Sequence, residues 1–189
     1  MKPVRAAFLF VAAITLLSGS ALAAMPNVEA TPVPVTPKPS FSKMAFLGGT
    51  WTCSVMSSRR PGPYTTTSTT TTSNDGYWMA TQTKTNTTSW IPQALTTVDR
   101  MTYDSSTSRW VDLATDDQGG YDVSTSPGWN GDTIVWTDVT YPKTNATAIN
   151  NPTTLTKVSD TKTTSVNTFK EPSGRLVTVK STCSKVARY

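Results

Sequence analysis

Four aspartates, Asp112, Asp116, Asp117 and Asp122, gather around the glycine turn Gln118-Gly119-Gly120. Carboxylates in such a group could hold calcium or work as an acid/base pair. Their spacing matches no calcium-binding loop, so no metal site is expected and a solvated loop is the plainer reading. A second candidate is Arg100, in the middle of an extended run between Val98 and Met101. Facing inward, it could pair with a ligand carboxylate; facing outward, it would simply be solvated. The third group is aromatic and sulfur-rich: Trp78, Trp90, Trp110, Trp129 and Trp136, with Tyr77, Met79, Met101 and Tyr103. Some of these must fill a core. Trp78, Met79, Arg100, Tyr103 and Trp136 are the candidate lining of a small-molecule cavity, which needs mostly apolar walls and a few polar groups.

Equally informative is what the chain lacks. Its 189 residues contain no histidine and two cysteines, Cys53 and Cys183. Ser-His-Asp and Cys-His catalysis, histidine acid/base chemistry and histidine-ligated haem are therefore excluded. Two thiolates alone cannot complete a tetrahedral zinc shell. No cofactor and no enzymatic activity are expected, because no catalytic constellation stands in for the missing imidazole.

The elements that must position these residues are strands. Thr, Val, Trp and Tyr, all suited to a pleated surface, dominate beyond Gly48. Turn signals such as Asn74-Asp75-Gly76 and Asn130-Gly131-Asp132 recur about every ten residues. Gly131 is expected to supply a positive φ in a hairpin turn. The pattern predicts an all-β domain, a meandering barrel or sandwich of about eight to ten strands. The only helical feature is a short N-terminal turn through Met44 and Phe46, with Ser40 as its candidate cap. The Thr/Ser run from Tyr64 to Ser73, and Thr81, Thr83, Thr85 and Thr87 on one face, could form a threonine ladder able to match an ice lattice. No regular repeat supports that, and a solvent-facing strand is the simpler expectation.

The N-terminus reads as a secretory signal peptide over residues 1–23. Lys2 and Arg5 precede an apolar run from Ala6 to Leu17, and Ala21-Leu22-Ala23 offers a cleavage site before Ala24. An uncleaved N-terminal anchor is the alternative, although the run is short of the ~20 residues a membrane helix needs. Residues 24–40, with five prolines, read as a disordered or semi-rigid tether, and residues 41–189 as the folded domain. Periplasmic or secreted localisation follows from the leader. Losing Lys2 and Arg5 removes two charges from the formal +5. The remaining basic residues are scattered, so neither nucleic acid nor a membrane span is expected.

In an oxidising compartment the two cysteines read most simply as one disulfide, with two free buried thiols as the alternative. Alternation places Trp51, Cys53 and Val55 on one face of an early strand, and Val177, Val179 and Cys183 on one face of the last. Oxidation requires Cα atoms within ~7 Å, so it would lay the first and last strands side by side. That is the closure of an up-and-down antiparallel barrel.

Leu47-Gly48-Gly49-Thr50-Trp51, after a short helical turn, resembles the Gly-x-Trp opening of the calycins: lipocalins, fatty-acid-binding proteins and nitrobindin. Asp75-Gly76-Tyr77-Trp78, Tyr103-Asp104 with Trp110, Gly128 to Asp132 with Trp136, and Thr156 to Asp160 are similar to an uncharacterised bacterial family of nitrobindin-like barrels. The resemblance covers Phe41 to Lys185. It implies a closed barrel of eight to ten strands with an internal cavity. It also implies that Gly49 and Trp51 are structural, the indole plugging the closed end beneath a basic side chain. Nitrobindin's haem chemistry needs a histidine and does not carry over. The combined expectation is a monomeric or weakly self-associating exported barrel that binds a small, partly apolar molecule. The alternative is a non-catalytic envelope interaction domain without a cavity.

Overall fold

The computed structural model describes residues 36–139, 152–171 and 173–187. Residues 1–23, read above as a signal peptide, and residues 24–35 of the expected tether lie outside them. Eleven strands follow in chain order: β1 (Gly49–Ser57), β2 (Tyr64–Thr72), β3 (Met79–Thr85), β4 (Leu95–Asp104), β5 (Arg109–Asp116) and β6 (Tyr121–Ser126), then β7 (Trp129–Asn130), β8 (Thr133–Asp138), β9 (Pro152–Ser159), β10 (Lys162–Lys170) and β11 (Leu176–Lys185). All pairings are antiparallel. Neighbours in sequence are neighbours in space, except that β6 pairs with β8 and β1 with β11. Ten strands thus form a closed up-and-down barrel, and β7 is a two-residue flap paired only with β8. Closure leaves no long free edge on which another chain could template.

The β1–β11 seam carries seven paired residues, with Cys53 directly opposite Cys183. The two form the disulfide, their Cα atoms 3.9 Å apart. The β6–β8 seam is much shorter, pairing Ser124 with Asp138 and Thr125 with Thr137, and is extended by a hydrogen bond from Val139 N to Val123 O of 2.8 Å.

One end of the barrel is closed by a 3-10 helix, Ser42–Leu47. Its first position is preceded by Phe41, and no side chain caps it. Ser40 instead contacts the Ser42 hydroxyl at 3.1 Å, so the expected cap is not made. The helix forms because Met44 drops into the barrel and is almost wholly buried, against Met79 and Ile134. The Trp51 indole donates to Leu47 O at 2.8 Å, tying the helix to the first strand. Lys185 lies over the Trp51 ring, 5.4 Å from its centroid, and donates to Phe46 O at 2.8 Å. Gly131 turns the β7–β8 hairpin with φ 58°, a conformation that costs glycine little. Residues 36–40 run beside the β2–β3 turn, where Tyr77 donates to Thr36 O at 3.1 Å and Lys38 covers the Tyr77 ring. Among the described residues no helix is long and apolar enough to cross a membrane.

Candidate functional site: the barrel cavity

Alternation along each strand decides what faces the interior. Nearest the helical lid stand Trp51, Met79, Met101 and Leu155, apolar and largely buried. Two residues farther along β3 and β4 come Thr81 and Asp99, which face each other across the pair. On β5, Asp112 stands between Met101 of β4 and Ser124 of β6. These layers enclose a cavity of about 210 Å³, whose wall also includes Leu47, Ser68, Thr70, Trp136, Thr163 and the disulfide. Thioether and aromatic side chains are interleaved on this wall with hydroxyls and carboxylates.

The hydroxyls largely satisfy one another. Ser68 pairs with Thr83 at 2.9 Å, Thr70 with Thr81 at 2.9 Å, and Ser165 with Ser181 at 2.7 Å. Asn167 donates to Thr153 at 2.6 Å. Thr81 of β3 is therefore cavity lining, and Thr83 is half-buried with its hydroxyl engaged across the β2–β3 pair, so this face is not a solvent-facing ladder. On β2, Thr65, Thr69 and Thr71 are exposed on the opposite face, and Thr72 is exposed at the strand's end.

The carboxylates are not satisfied in this way. Asp112 Oδ1 is sealed from solvent and has no hydrogen-bond partner among the described residues. Burial pushes the Asp112 carboxyl up to about 7, with the Asp99 and Asp122 charges adding to the effect. Asp99 is pushed up to about 6, again chiefly by burial and then by Asp122. Asp138 likewise rises to about 6 through burial and Asp122. Ala114 is flanked by Asp99 on one side and Asp122 on the other, so one carboxylate belt crosses β4, β5, β6 and β8. Among the described residues no group of three or more potential ligands is arranged to hold a metal ion.

The aspartates read together as a loop cluster thus part company. Asp116 and Asp117 do belong to the β5–β6 turn: Asp116 accepts from Gln118 N at 2.9 Å and Gly120 N at 2.7 Å, and Asp117 accepts from Thr96 N at 3.2 Å. Asp112 faces the interior instead of a solvated loop, whereas Asp122 is exposed at the start of β6, opposite Ala114.

Of the expected lining, Met79 and Trp136 do face the cavity. Arg100 is exposed on the outer surface, because its neighbours Asp99 and Met101 take the inner face. Trp78, adjacent to Met79, likewise points outward and is 38% exposed. Tyr103 packs edge-on against Trp110 at 5.4 Å and does not line the cavity. Sequence reasoning missed Asp99, Thr81 and Ser68. The available signal was parity: a strand that turns Met101 inward must turn Asp99 inward too.

No known family model matches the chain, and no curated protein matches it.

Proposed function

We propose that this is an exported, calycin-like barrel that binds a small, partly apolar molecule inside the barrel, as a carrier or binding protein and not as an enzyme. The observation that carries the reading is the 210 Å³ cavity with its mixed apolar and polar wall. That volume is below the roughly 300–1,000 Å³ of drug-sized pockets. It corresponds to about seven waters at ~30 Å³ each, so the ligand is small. The helical lid, the Trp51 plug beneath Lys185 and the closed meander support the calycin-like architecture. The signal-peptide sequence and the disulfide support export to an oxidising compartment.

The test is native mass spectrometry of protein recovered from its own host, with extraction of any retained small molecule. The wild-type barrel is expected to carry a low-mass ligand that is lost from a Ser68→Leu variant, in which the added side chain occupies the cavity. A barrel that is reproducibly empty and admits no small-molecule probe would overturn the reading.

A further inference from the structure

The polar part of the cavity wall is incomplete in charge. Its hydroxyls are engaged by partners across the sheet. Asp112 Oδ1 is buried without a partner, and Asp99 lies beside it on the wall. Among the described residues no lysine or arginine lines the cavity. The ion pairs among the described residues involve Arg59, Lys157 and Arg175, none of them with these aspartates. A buried carboxylate without a counter-charge is costly, and the cost falls when a positive group arrives in hydrogen-bond contact. A hard divalent ion would ask for six or more oxygen ligands. Two carboxylates beside Met79, Met101 and Trp136 instead suit a weakly hydrated cation with an apolar body, which also gains from the indole face.

We infer that the cavity takes a small organic cation, an amine whose apolar body lies against Met79, Met101 and Trp136 and whose charged head meets Asp112 and Asp99. This rests on the reading of the cavity as a ligand site and adds the chemical class of its occupant. A neutral polyol would use the same hydroxyl wall but would leave the carboxylates uncompensated.

The experiment is calorimetric titration of the intact, oxidised protein at pH 8 with benzylammonium and with benzyl alcohol, which has nearly the same shape and no charge. Benzylammonium is expected to bind about tenfold or more tightly than the alcohol, a difference of about 1.4 kcal/mol or more. Asp112→Asn is expected to bring the two affinities together while the alcohol still binds. Asparagine keeps the shape and removes the buried charge, so this variant should fold; Asp99→Asn, expected to narrow the preference, is the independent check. Equal binding of the two probes to the wild type would overturn the cationic assignment and leave the ligand cavity standing. A preference that survives both substitutions would also overturn it. If neither probe binds at millimolar concentration, both the assignment and the cavity reading fall.

Discussion

Asp112 on β5 stands directly opposite Met101 on β4, so a carboxylate is held against a thioether on the inner wall of the barrel. Ser124 flanks it on the other side; Asp99 and Asp138 are the part-buried charged groups near it, and Asp122 acts on it from the exposed start of β6. Among the described residues no basic group enters this arrangement from the strands packed around it, which distinguishes it from an ordinary buried ion pair.

The first consequence is an inverted pH dependence of stability. Asp99, Asp112 and Asp138 have folded-state values of about 6, 7 and 6, against an unfolded value of 3.8. Between those limits the folded state binds more protons than the unfolded one, so stability falls as pH rises from about 4 to about 7. The carboxylates of Asp75, Asp104, Asp160 and Glu171 are held low by hydrogen bonds and lose their contribution only below that window. Thermal melts should show a higher Tm at pH 5 than at pH 8, by several degrees, since each kcal/mol is worth roughly 2–4 °C in a chain of this size. A flat or rising profile would contradict the burial of the belt.

Asp112→Asn should raise the Tm more at pH 8 than at pH 5, because between those values the native carboxyl gives up its proton while the unfolded one is already ionised. The comparison isolates one group, because the amide has the same shape and cannot ionise. Equal effects at the two pH values would assign the change to packing and not to charge.

The Cys53–Cys183 bond closes a chain loop with a sequence separation of 130 residues, and its removal leaves that loop open. In the chain-entropy description such a bond contributes about 4–5 kcal/mol. The Cys53→Ala/Cys183→Ala double variant should show a correspondingly lower urea midpoint. Intact protein from an oxidising host should show no thiol open to alkylation before reduction.

Trp51→Phe keeps a ring beneath Lys185 but removes the donor to Leu47 O. An acceptor losing its partner at a part-buried site should cost about 1–3 kcal/mol. Hydrogen exchange in the Ser42–Leu47 helix should accelerate, because that bond is its tie to the barrel.

Arg100→Ala should change neither ligand affinity nor, beyond ~0.5 kcal/mol, stability. The side chain is exposed, and its cross-strand neighbours Ala80 and Leu113 share the outer face. A loss of binding in this variant would place the ligand outside the barrel.

The architecture was legible because it depends on features each strand carries by itself. Alternation in Thr50–Val55 and Val177–Cys183, together with two cysteines and no third, was enough to join β1 to β11 and close the ring. The site was only half legible. Arg100 and Tyr103 are an odd number of residues apart, so they could never share a face, and Trp78 and Met79 could not either. Composition marked the charged and aromatic residues as candidates, but parity decides which of them enter the barrel. Threonine misled for a related reason. A run of β-formers with small polar tips reads as a wet surface, yet Thr81 and Thr83 stay inside because Thr70 and Ser68 stand opposite to receive their hydroxyls. Nothing in a single sequence announces that pairing.

Because Cys53 and Cys183 are direct partners in the β1–β11 ladder, their bond acts as a key fixing the phase of the whole ring. A strand slipped by one residue turns every side chain to the other side of the sheet. In a closed ring that error would have to be absorbed somewhere around the circumference, most easily at the two-pair seam between β6 and β8. With the key in place β1 and β11 cannot drift past each other, and Asp99 and Asp112 stay among the residues that the barrel hides.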